Sequence, residues 1–114
     1  MLEQSYAKAN KYQEECKTIQ EQSVFLQGQY NRLISELNGL EAYLRSNPND
    51  KAVKQRYFAI KSRLNRIGTQ LRKNEARLKT LQRSLTVETQ RINMHNQKQM
   101  MSMYKKQMRG YKSY

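Results

Sequence analysis

Cys16 and His95 are the only thiol and the only imidazole in the chain, so nucleophilic or general-base chemistry would have to run through them. They lie far apart in sequence. One Cys and one His cannot form an internal disulfide or complete a zinc site. The nine Asp and Glu residues are scattered singly at helix-surface spacings and do not converge as an acid–base pair. No GxGxxG or GxxxxGK[ST] loop is present to cradle a phosphate. The chain therefore reads as a non-enzyme with no catalytic residue, metal site or cofactor, and Cys16 reads as a small core residue.

Charge is the chemistry that the residues do carry. The chain has 22 Lys and Arg against nine acids, a formal net charge of +13. Residues 1–45 hold five cations and six acids, whereas residues 46–114 hold seventeen and three. In the second half one position recurs every seventh residue as Arg56, Arg63, Gln70, Arg77, Ser84, Arg91, Lys98, Lys105 and Lys112. Further cations fall at Arg66, Arg72, Lys73, Lys79 and Arg83, and then at Lys106 and Arg109, while only Glu75 and Glu88 interrupt. A solvated helix face ordinarily mixes signs so that neighbours attract. Like charges along most of a helix repel, and a bound polyanion relieves the repulsion. The expected partner is thus a polyanion, nucleic acid foremost, held through sequence-independent, salt-sensitive phosphate contacts. There is no RNP motif, KH-type GxxG loop, zinc finger or helix-turn-helix spacing, so base readout is not expected.

The elements that position these cations follow from the apolar period. Only 37% of residues are hydrophobic, Trp is absent, and four Gly with one Pro are too few for a loop-rich β fold. Leu2, Ala9, Cys16, Ser23, Tyr30, Leu37 and Leu44 form one heptad series, with Ser5, Tyr12, Ile19, Leu26, Leu33 and Leu40 as its companion. The pattern stops at Ser46-Asn47-Pro48-Asn49-Asp50, where Asn47 is expected to cap a helix opening at Pro48. A second pair of series runs through Tyr57, Leu64, Leu71, Leu78, Leu85 and Ile92 and through Val53, Ile60, Ile67, Asn74 and Leu81. Folding back at Pro48 matches the series layer by layer: Leu37 meets Ile60, Leu33 meets Leu64, and the polar breaks Ser23 and Asn74 meet each other. The expectation is an all-α fold, a long antiparallel two-helix coiled-coil hairpin with a helical basic C-terminal extension. The hairpin spans residues 1–95, with helices at about 2–45 and 48–95 and a turn at 46–50; the extension spans 96–114. Glu36 is expected near Arg63 and Glu41 near Lys54 across the seam. The far end, with Ala9 against Glu88 and Leu2 against His95, is expected to fray.

Val24, Phe25, Ile34, Tyr43 and Phe58 lie off the seam and mark an expected second contact surface, for self-association or for a protein partner, although single exposed apolar residues are ordinary. Beyond Leu85 the apolar stripe shifts phase to Val87, Met94, Met101 and Met108, with Tyr104 and Tyr111 beside it. Three readings stay open for this tail. It is a docking helix with a soft Met face and Lys edges, a nucleic-acid tail stacking Tyr104, Tyr111 and Tyr114 on bases, or a frayed basic terminus. A membrane helix, a further reading of the tail, is disfavoured because the segment lacks Trp and strong Leu anchoring, so a membrane is not the expected partner. No signal pattern is visible and no apolar run approaches the ~18 residues of a span, so the expected location is the cytoplasm or a virion or other particle.

Two function classes follow: a polyanion-binding hairpin, or a structural or assembly rod in a virion, secretion apparatus or ribonucleoprotein. The stretch Asn47-Pro48-Asn49-Asp50 followed by Tyr57 and Ser62 resembles the turn of type III secretion needle subunits, where a Pro-containing turn joins two helices. The resemblance is confined to that turn, and the long basic helix departs from it.

Overall fold

Leu, Gln, Lys, Arg and Glu are strong helix formers, and with a single Pro to interrupt them they produce two helices. Helix α1 spans Leu2–Ser46 and helix α2 spans Lys51–Lys112. The computed structural model describes residues 2–112, with side chains described through Arg109. The fold is all-α as expected, and no strand occurs among the described residues.

The turn differs from expectation by three residues. Asn47 closes α1 instead of opening α2: its backbone N–H and its Nδ2 both donate to the Tyr43 carbonyl, at 2.9 and 3.2 Å. Asp50, not Asn47, caps α2. Its carbonyl accepts the first bond of the helix from Lys54 N–H at 3.1 Å, and its Oδ1 accepts from Val53 N–H at 3.2 Å. Pro48 and Asn49 thereby stay in the reversal, where a residue without an N–H donor costs nothing. Tyr43 Oη donates to the second carboxylate oxygen of Asp50 at 2.8 Å, tying the end of α1 to the start of α2.

Residues 17–78 form one compact unit, here the turn unit. Its core is Leu37, Ile60 and Leu64, with Tyr30, Leu33, Ile34, Leu40 and Tyr57 packed against them. The polar layer is in the expected register. Asn74, only 5% exposed, donates through Nδ2 to Ser23 Oγ and Gln22 Oε1, each at 3.2 Å. Its Oδ1 accepts from Gln70 Nε2 at 2.9 Å, so this buried amide is satisfied on both sides.

The segments of α1 before residue 17 and of α2 after residue 78 form a second, terminal unit. Leu81 is its deepest side chain at 1% exposure. The expected fraying is not seen: α1 is helical from Leu2, and Ser5 and Ala9 are buried. Glu88 is buried as well, at 5% exposure. Glu88 Oε1 takes a hydrogen bond from Arg91 Nη1 at 3.1 Å, while its Oε2 is buried without a hydrogen-bond partner. Beyond His95, α2 runs on without a facing segment of α1 and is exposed throughout residues 96–109.

Candidate polyanion-binding surface

In the turn unit, Arg56, Arg63, Arg66, Lys73 and Arg77 recur at helical spacings of three, four and seven residues and are all exposed. Such spacings place side chains on one side of a helix. Twelve cations stand against five acids in this unit, so it carries a net positive field of its own.

The cations are not equivalent. Arg56 is bound to Glu36: its Nε donates to Oε1 at 2.9 Å and its Nη2 reaches the same oxygen. Glu36 was expected beside Arg63. It reaches Arg56 because a guanidinium on a long stem spans a full turn across the seam. Glu41, expected beside Lys54, instead accepts from Tyr57 Oη at 3.0 Å. Arg72 turns back along its own helix, with Nη2 donating to Thr69 Oγ1 at 3.3 Å. Arg63, Arg66 and Lys73 have no acidic partner within ion-pair reach among the described residues.

Arg63 has a companion that the heptad reading missed. Arg32 of α1 lines the same shallow groove as Arg63, together with Gln29 and Leu33. The signal was present, because the Leu33–Leu64 layer sets residues 32 and 63 side by side at its rim. It was hidden by the near-neutral charge of α1 as a whole.

In the terminal unit, Lys79, Arg83, Arg91, Lys98, Lys105, Lys106 and Arg109 are exposed. Arg91 is engaged with Glu88, yet it also lines a groove with Leu2, Gln4, Ser5, Lys8 and His95. Lys98 and Lys105 share one heptad position and border a second groove with Met94, Gln97, Met101 and Ser102. Lys106 and Arg109 fall at the phase of the α1-facing seam instead. The side chains of Tyr111 and Lys112, and all of Tyr114, lie outside the described residues.

The apolar residues expected as protein contacts also separate. Val24, Phe25 and Phe58 are 75%, 61% and 63% exposed, and the Phe58 ring stands in a T-shaped arrangement with that of Tyr57, with centroids 5.5 Å apart. Met94, Met101, Tyr104 and Met108 are exposed as well. Ile34 is different: it is half-buried against the Leu37, Ile60 and Leu64 core. It reaches the core because the seam of α1 is wider than its two heptad positions.

Electrostatics at the turn favour an ionised Asp50. The Tyr43 hydroxyl, then the Val53 N–H, hold its carboxyl below the ordinary value, and the same contact with Asp50 raises the Tyr43 phenol. Lys61 Nζ lies 5.0 Å over the Tyr57 ring, on the flank of α2 opposite Arg63. No group of three or more potential metal ligands occurs among the described residues, and no described helix is long and apolar enough to cross a membrane. No protein-family model, curated protein or solved structure matches the chain.

Proposed function

We propose that this chain is a non-enzymatic nucleic-acid-binding protein that holds phosphates without reading sequence. The observation that carries the reading is the set Arg63, Arg66 and Lys73, exposed on one side of α2 with no acidic partner among the described residues, and with Arg32 lining the same groove as Arg63. Cations left unpaired along a helix repel one another, and an array of phosphates removes that repulsion while releasing its own counterions. Arg guanidinium groups on two different helices can grip one phosphate from both sides. No recognition helix or base-reading motif accompanies them, so the contacts position the polymer and do not select a sequence.

The test is binding of the purified chain to random-sequence single-stranded and duplex oligonucleotides over a series of salt concentrations. Affinity should fall steeply and linearly on logarithmic axes, with little change between sequences. Absence of binding at low salt, or binding indifferent to salt, removes the proposal.

A second reading, an assembly subunit of a virion, secretion apparatus or ribonucleoprotein, draws support from the exposed Val24, Phe25 and Phe58 of the turn unit. It expects self-association, and multi-angle light scattering of the wild type against a Val24→Gln/Phe25→Gln/Phe58→Gln variant decides it. A wild-type monomer would count against it.

A further inference from the structure

We infer that the part of α2 beyond His95 is a docking helix for an acidic amphipathic helix of a partner protein. After Ile92, the phase that packs against α1 turns polar, as His95, Gln99, Ser102 and Lys106. The apolar residues move to another side of the helix, where Val87, Met94, Met101 and Met108 recur every seventh residue, with Tyr104 three beyond Met101. All of them are exposed. The stripe is therefore not a continuation of the α1 seam. A helix extended in the α1 phase would meet an imidazole, an amide, a hydroxyl and a cation.

A period-seven stripe on a helix is complementary to another helix, whose own side chains enter the spaces between its layers. Thioether side chains adapt to many such partners. Met94 and Met101 of the stripe line a shallow, open groove together with Gln97, Lys98, Ser102 and Lys105.

The charges choose the occupant. No Asp or Glu occurs after Glu88, and Lys98 and Lys105 have no acidic partner among the described residues. A second copy of this segment does not supply one. Antiparallel pairing sets these lysines against their own counterparts, and parallel pairing sets them against Asn93, Met100 and Gln107. A nucleic acid would satisfy the lysines but leave the Met stripe facing water. An apolar stripe with Glu or Asp at its edge satisfies both. This inference does not depend on the turn unit binding phosphates.

The experiment uses the full chain and a fluorescent three-heptad peptide with Leu at the a and d positions and Glu at e and g, followed by anisotropy. Controls are a scrambled peptide of equal composition, a peptide with Lys at e and g, and a single-stranded oligonucleotide. The ordered Glu peptide should bind about tenfold or more tighter than the scrambled one. Met94→Gln/Met101→Gln/Met108→Gln should abolish that preference, with helicity and oligonucleotide affinity unchanged. Lys98→Glu/Lys105→Glu should transfer the preference to the Lys peptide. Equal binding of ordered and scrambled peptides would reduce the interaction to bulk charge and overturn the inference. So would a wild-type dimer that the Met substitutions dissolve, or a loss of oligonucleotide affinity with the Met substitutions and no change in peptide preference.

Discussion

Replacing Arg63, Arg66 and Lys73 together with Gln isolates the part of the field that no acid screens. All three are exposed and without an acidic partner among the described residues, so the fold should be preserved within about 0.5 kcal/mol. If each meets one phosphate, the triple variant loses three contacts. For single-stranded nucleic acid each contact contributes about 0.7 to the slope of log K against log salt. The slope should therefore flatten by roughly 2, and at 0.1 M salt affinity should drop about 100-fold. The assay is fluorescence anisotropy with a labelled random-sequence oligonucleotide at four or more salt concentrations. The control removes the same formal charge from the other flank of α2 with Lys51→Gln, Lys54→Gln and Lys61→Gln. Lys61 is already over the Tyr57 ring, and this set should flatten the slope far less. An unchanged slope in the first variant, or an equal loss in the control, would refute the reasoning. The second outcome would mean that net charge, and not an edge of α2, governs binding.

Asn74→Ala removes a buried amide bonded to half-buried Ser23 and to exposed Gln22 and Gln70 and should cost about 1 kcal/mol in urea unfolding; no measurable loss would mean that water replaces the amide freely. Glu88→Leu removes a buried carboxylate with one unpartnered oxygen and should raise stability by about 1 kcal/mol, so a lower melting temperature would contradict the burial argument. The depressed Asp50 pKa means that its contribution to stability is complete above about pH 4 and is lost as pH falls through the lower folded value. Asp50→Ala should therefore lower the melting temperature at neutral pH and flatten the acid limb of the stability profile. Tyr43→Phe should move the Asp50 carboxyl back toward its ordinary value in an NMR titration, and no movement would remove Tyr43 as the main cause.

Much of the architecture was legible because heptads are a property of neighbours three and four residues apart on one helix. The meeting of Asn74 with Ser23 follows from counting back through Pro48, and the hydrogen bond at 3.2 Å realises that count. The turn was less legible. Asn and Asp are both good caps, and spacing alone cannot say which will reach an N–H three residues on. The choice of Asp50 rests on its position relative to Val53 and Tyr43. The surface was legible in composition but not in pairing. Arg63, Arg66 and Arg56 look alike in sequence, and only the reach of Glu36 across the seam separates the paired Arg56 from the others.

By itself, then, the sequence determined the helices, their register, the side of α2 that gathers the cations and the phase shift that bares Val87, Met94, Met101 and Met108. These are consequences of periodicity, which is local. Tertiary structure decided which charges neutralise each other, that Arg32 of α1 lines one groove with Arg63, and that Glu88 is buried beside Arg91 instead of facing water. Those outcomes depend on side-chain reach and on how closely two helices approach, and neither is written in the period of either helix.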